Sequence, residues 1–155
     1  MRGSAPSLRL KALVQGWATP SLLAVHLVLL LYSSASTAQT AAEYRKRATE
    51  QVRSKSWDDA IASYRHALSL DPKDAPTHYD LALALKYQGD NREALKEFQA
   101  AAELRPKWAQ AHYGLGAVWY ELQNQTAALD ELHTAATLDP SNAAVHRLLA
   151  RILSQ

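Results

Sequence analysis

The sequence predicts an all-α fold, a stack of helical hairpins closed by a single helix. Three observations predict it. First, Asp71-Pro72, Arg105-Pro106 and Asp139-Pro140 return every 34 residues, and other positions keep the same beat: Ala60, Ala94 and Ala128; Ala67, Ala101 and Ala135; Tyr64, Phe98 and Leu132. Self-similarity at a fixed period of this length is the signature of a repeat architecture. Second, apolar residues between the joints follow the helical period. His78, Leu81, Ala82 and Leu85 form one stripe. It recurs as His112, Leu115, Gly116 and Trp119, and again as His146, Leu149, Ala150 and Leu153. Third, from Ala41 onward proline interrupts the helical pattern only at joints, where a helix cannot continue.

Each element has its own signals. Helix one is expected over about Ala41–Arg53 and helix two over about Trp57–Leu70, with Ser56 as N-cap and Asp59 completing a capping box. Asp71-Pro72-Lys73-Asp74 then ends the first hairpin. Helix three, about Ala75–Gln88, has Asp74 as N-cap and Pro76 in its first turn. Gly89 suits its left-handed C-cap. Asp90 and Glu93 open helix four, about Asn91–Leu104. Helix five, about Trp108–Gln123, and helix six, about Gln125–Leu138, repeat the plan with Asn124 as cap. Asp139-Pro140-Ser141 closes the third hairpin, and Ala143–Leu153 is a seventh helix without a partner. The small members of the stripes, and Ala60, Ala94 and Ala128, permit close helix approach where Leu would overpack.

The first 38 residues follow a different rule. Arg2, Arg9 and Lys11 are the only charges before Glu43, Ser21 to Tyr32 is an apolar run, and SSASTAQT follows. A basic start, a short apolar core and an A-x-A-like site describe a secretory signal peptide. Ser36-Thr37-Ala38 gives the cleavage triplet and leaves Gln39 first. The alternative is an uncleaved membrane anchor, although the run falls short of the roughly 20 residues a spanning helix needs. Cleavage removes three of 17 basic residues and none of 15 acidic ones, turning the chain's net charge from +2 to −1. The basic balance therefore does not point to nucleic acid, which requires a basic face on the folded domain. With no cysteine, disulfides, thiol nucleophiles and Cys-ligated metals are excluded.

A period of 34, carrying Ala, an aromatic or Leu, Ala and then Pro in that order, resembles the tetratricopeptide repeat. The resemblance covers 41–155. Three units are expected, 41–74, 75–108 and 109–142, with 143–155 as a capping helix. The second unit offers His78, Leu81, Ala82, Leu85, Ala94, Phe98, Ala101 and Pro106 at the family's signature places. The third offers His112, Leu115, Gly116, Trp119, Ala128, Leu132, Ala135 and Pro140. The first departs, with Arg47 and Gln51 where Leu and an aromatic are usual, as terminal repeats often do. The resemblance implies a right-handed α-solenoid of three hairpins plus a C-terminal capping helix, acting as a non-catalytic scaffold.

At several places a chemical reading competes with packing. His78, His112 and His146 share one repeat place and could be read as zinc ligands. Equivalent places on successive hairpins lie about 8–10 Å apart or more, against Zn–N bonds of ~2 Å, so the reading is core packing and no metal. Asn124-Gln125-Thr126 is a glycosylation sequon, read first as a helix cap. His133 near Asp130 and Glu131, and Ser69 near Asp71, read as surface pairs. No nucleophile–base–orienter set, phosphate loop or HExxH occurs. The sequence thus predicts no catalytic residues and no cofactor.

In family members the first helix of each pair lines a concave groove. Here that stripe carries Arg45, Tyr79, Tyr113 and Arg147, then Thr49, Leu83, Ala117 and Arg151, then Arg53, Lys86, Tyr87, Tyr120 and Glu121. The expected partner-binding residues are Arg45, Arg53, Tyr79, Tyr87, Tyr113, Tyr120, Arg147 and Arg151, because Tyr and Arg concentrate in recognition hot spots. The expected partner is a protein or peptide of aromatic or apolar and acidic character. No nucleic acid is expected, and a membrane only if the N-terminal segment stays uncleaved. Some family members clamp C-terminal carboxylates of chaperones with Lys and Asn. Here the central places hold Tyr79, Asp80, Tyr113 and Gly114, with no Asn, so that activity is not carried over. The expected protein is exported, periplasmic or extracellular. The alternatives are a membrane-anchored arm of an envelope-assembly complex and a docking subunit for a separate enzyme.

Overall fold

The computed structural model describes residues 40–154, and the expected signal peptide at 1–38 lies outside the described residues. Among the described residues there are seven helices and no strand. They are α1 (40–53), α2 (Trp57–Leu70), α3 (Ala75–Gln88), α4 (Asn91–Leu104), α5 (Ala109–Glu121), α6 (Gln125–Leu138) and α7 (Ala143–Leu153). None of the described helices is long and apolar enough to cross a membrane. The helices pack on their neighbours in sequence, and the odd-numbered helices α3, α5 and α7 also touch one another in order.

The joints are built by local chemistry. Gly89 takes φ +100° at the end of α3, and its N–H and that of Asp90 both reach the Leu85 carbonyl. The left-handed turn that glycine permits thereby satisfies the last carbonyls of the helix. Asp90 and Asn124 cap α4 and α6 by accepting from the amides of Glu93 and Ala127, so Asn124 has the capping role expected of it. Asn142 caps α7 in the same way through Ala144 and Val145.

Two expected caps are corrected. Ser56 makes no side-chain cap bond, because its hydroxyl lies 3.2 Å from that of Ser54. Asp74 occupies the N-cap of α3, but its carboxylate is spent on the Thr77 hydroxyl and on Arg45. Helix α5 is also shorter than expected. Trp108 is extended backbone at its N-cap, and Gln123 lies at φ +63°, past the end of the helix.

The core follows the repeat. Ala60, Ala94, Ala128, Phe98, Leu132, Ala101 and Ala135 are fully buried, with Tyr64 and Ala67 nearly so. The two core glycines show why small residues occupy these crossings. A Cβ on Gly116 would stand 2.6 Å from the Leu132 side chain, and one on Gly114 2.5 Å from the Phe98 ring.

A second buried stripe goes beyond the sequence expectation. It comprises Thr77 and Ala84 on α3, Ala111 and Val118 on α5, and Val145 and Ile152 on α7. These residues also lie one beat apart. On α7 that stripe is the buried one, together with Leu148 and Leu149. His146, Ala150 and Leu153, expected in the core, are exposed. The physical reason is the partner: on α3 and α5 these places are covered by the following helix, and among the described residues nothing follows α7.

The first hairpin resolves its departures from the pattern. Arg47 is exposed and its guanidinium lies 5.4 Å over the Tyr44 ring, while Tyr44 stacks on His66 of α2 at 5.1 Å. Gln51 is half-buried and accepts a 2.7 Å hydrogen bond from buried Ser63. A polar pair thus replaces an apolar contact at this crossing, with both groups satisfied.

Candidate functional site: the face of the odd-numbered helices

The odd-numbered helices carry the stripe of Tyr79, Tyr113 and Arg147, and two cavities open along it. The first has a volume of about 140 Å³ and is lined by Tyr79, Leu83, Lys86, Tyr87, Phe98, Tyr113, Gly114 and Ala117. The second, about 110 Å³, is lined by Tyr113, Ala144, Arg147, Leu148 and Arg151. Tyr113 is a wall of both. Five of the eight residues singled out in the sequence are therefore brought to one continuous surface: Tyr79, Tyr87, Tyr113, Arg147 and Arg151.

Their surroundings differ. Tyr79 is half-buried, edge-on to Phe98 at 5.4 Å and tilted against Trp108 at 4.8 Å. Burial, and then the Asp80 carboxylate beside it, hold its phenol above the usual Tyr range. It is as much a floor as a contact. Tyr87 is 66% exposed and stacks on Trp57 at 5.2 Å. Neighbouring Lys86 is tied across to Glu121 of α5 at 2.6 Å. Arg147 and Arg151 are exposed, and among the described residues neither has a carboxylate within ion-pair distance. One turn apart, they place two planar forks over the second cavity, a geometry suited to carboxylates.

The remaining three residues sit elsewhere. Arg45 is bound to Asp74 at 2.9 Å and Arg53 to Glu50 at 2.9 Å, so both cations are already engaged within the chain. Tyr120 is half-buried against the second core cluster, which gathers around α6 and α7.

The sequence reading put Asp80 at a central place of the groove but did not count it among the binding residues. It occupies the repeat place of Gly114 and Leu148, one and two beats earlier, and those two residues line the two cavities. Burial raises the Asp80 carboxyl above its ordinary value; Arg45 pulls it back and Asp74 pushes it up again. The signal is present in the 34-residue register, but residue type alone points to Tyr and Arg instead.

The histidines are held by polar contacts. His78 Nδ1 lies 2.7 Å from Glu97 and Nε2 3.1 Å from the Pro72 carbonyl, and His112 repeats this with Glu131 and Pro106 at 2.8 and 2.9 Å. His146 keeps only the Pro140 carbonyl, at 2.9 Å. Each ring fills the large place of its repeat and ties the preceding loop to its helix. The rings of His78 and His112 also reach the following helix. Glu131, expected in a surface pair with His133, belongs instead to His112.

Comparison with known proteins agrees with this architecture. A tetratricopeptide repeat family model matches residues 79–143 and a second TPR repeat model matches 52–89. Among solved structures, the first TPR of Spaghetti (RPAP3) bound to the HSP90 peptide SRMEEVD is 21% identical, with TM-score 0.73, covering 75% of this chain and 92% of that one. The Arabidopsis OM64 TPR domain is 18% identical, with TM-score 0.74 and coverages of 76% and 98%. The TPR2B domain of yeast Sti1, in complex with an Hsp70 peptide, is 23% identical, with TM-score 0.71 and coverages of 76% and 98%. A search of curated protein sequences finds no match.

Proposed function

The chain belongs to the tetratricopeptide repeat family, and from that premise we propose that it is a non-catalytic scaffold holding a protein or peptide segment on the face of α3, α5 and α7. One observation carries the reading: Tyr79, Tyr87 and Tyr113 meet at a cavity whose wall continues to Arg147 and Arg151. Tyr supplies a large contact area with few torsions to freeze, and Arg a rigid fork, so this composition suits recognition of a segment with apolar and acidic groups. The similarity to domains solved with HSP90 and Hsp70 peptides supports a segment as the occupant. The basic start, apolar run and small residues ahead of Gln39 support export to a periplasmic or extracellular space, with 1–38 removed.

The test is capture of partners from extract of the native host by matched, folded variants. Tyr87→Ala with Tyr113→Ala should abolish capture, because exposed Tyr87 and half-buried Tyr113 contribute more to the surface than to the core. Lys96→Ala, on the exposed side of α4, should leave it intact. Partners kept by the double Tyr variant and lost with Lys96→Ala would place binding on the opposite side. N-terminal sequencing of the purified protein should begin at Gln39; a chain retaining residues 1–38 would turn the reading to a membrane-anchored arm.

A further inference from the structure

The face of the odd-numbered helices carries opposite charges at its two ends. At the α7 end stand Arg147 and Arg151, with no carboxylate of the described residues within ion-pair distance. At the α3 end stands Asp80, in the repeat place that opens onto a cavity at Gly114 and again at Leu148. The nearest cation to Asp80, Arg45, is bonded to Asp74 at 2.9 Å and serves Asp80 only through longer-range attraction. Between the two ends the charges cancel within the chain, since Lys86 is paired with Glu121. What lies open along the middle is ring and methyl surface from Tyr79, Tyr113 and Ala117.

Resting on the scaffold reading above, we infer that the occupant is a charge-polarised segment of another protein: a Lys or Arg side chain over Asp80, apolar residues across the Tyr79–Tyr113 cavity, and Asp or Glu side chains on Arg147 and Arg151. The spacing follows from the stack. Helices α3 and α7 flank α5, so the two charged ends lie two helix spacings apart, about 16–20 Å. An extended chain covers that in about five or six residues. A uniformly acidic segment would meet Asp80 as a like charge on a half-buried floor, which is costly where water is scarce. The polarity also fixes the direction of the segment, since reversing it sets carboxylate against carboxylate and ammonium against guanidinium.

Selection of a displayed library of random dodecapeptides on the full-length chain tests this. Enriched peptides should carry a basic and an acidic residue about five or six positions apart, with apolar residues between them. Replacing the basic residue of a selected peptide by Glu should weaken binding about tenfold or more. Asp80→Asn should reduce that discrimination to about threefold or less while keeping the acidic requirement. Arg147→Gln with Arg151→Gln should do the reverse. Enrichment of uniformly acidic peptides, indifferent to Asp80→Asn, overturns the polarity and leaves the binding face standing. Enriched peptides that bind the Tyr87→Ala, Tyr113→Ala variant unchanged overturn the face itself, and this inference with it. Absence of any enriched peptide counts against both.

Discussion

The crossing of α4 with α5 offers a quantitative check on the packing. Phe98 is fully buried, and its ring fills the space a side chain at Gly114 would need, with three ring atoms 2.5–2.8 Å from where a Cβ would stand. Gly114→Ala should therefore gain about 1 kcal/mol of helix propensity and lose about 1–3 kcal/mol to overpacking. The net is a loss of up to about 2 kcal/mol. Phe98→Leu alone should also destabilise, because it leaves part of a ring-sized space empty beside Gly114. The informative quantity is the coupling. In the double variant the new methyl group enters the vacated space, so the combined loss should be smaller than the sum by about 1 kcal/mol or more. Urea unfolding followed by far-ultraviolet circular dichroism, with slopes compared across the four proteins, measures it. Losses that add within about 0.5 kcal/mol would show that ring and backbone do not compete for one volume, and the register of α4 against α5 would be wrong.

Other expectations follow from the same contacts. Asp80 is raised in the folded state, chiefly by burial, so it binds its proton more readily there than in the unfolded chain. Its contribution to stability is then greatest below the ordinary carboxylate range and falls as pH rises through the folded value. Asp80→Asn should raise the melting temperature at neutral pH, and the advantage should vanish on acidification; an advantage that persists in acid would refute the assignment. Ser63→Ala removes the donor to Gln51 and should cost about 0.5–1.5 kcal/mol. Ser69→Ala, at an exposed position of α2, should stay within about 0.5 kcal/mol; equal urea midpoints for the two variants would remove the Ser63–Gln51 pair from the account. Zinc should leave the melting temperature unchanged, since a site on the folded form would add about 2.7 kcal/mol at a hundredfold excess over its dissociation constant. A zinc-dependent rise abolished by His112→Phe would contradict the packing role.

The helix boundaries were legible because the same local chemistry ends each hairpin. Pro72, Pro106 and Pro140 each carry the turn in their own dipeptide, and Gly89, Asp90 and Asn124 act on groups within three or four residues. What escaped depended on distance in sequence. The buried stripe of Thr77, Ala111 and Val145 is set by the preceding hairpin, and a helix's own period does not say which neighbour it meets. The partners of His78 and His112 sit 19 residues on, on another helix, so the rings read as core when they are polar ties. Arg45 looked available because Asp74, which binds it, was assigned to a cap. On the proposed binding face, Tyr and Arg draw attention by type, while Asp80 signals only by register.

The histidine ties have a kinetic consequence. His78 joins groups six and 19 positions away, and His112 spans the same two distances. Contacts this short close small loops, which lose little entropy. Among the described helices α2 to α7, the main pairings are between neighbours in sequence, joined by α3 with α5 and α5 with α7. With pairing this local, ordering can begin at any hairpin and spread both ways. Its local contacts place it among fast-folding helical proteins, in the microsecond-to-millisecond range. If the chain is exported unfolded, that speed shortens the interval in which its alanine-rich faces stand exposed after passage. A hairpin pulled open at one end would zip back without disturbing the next.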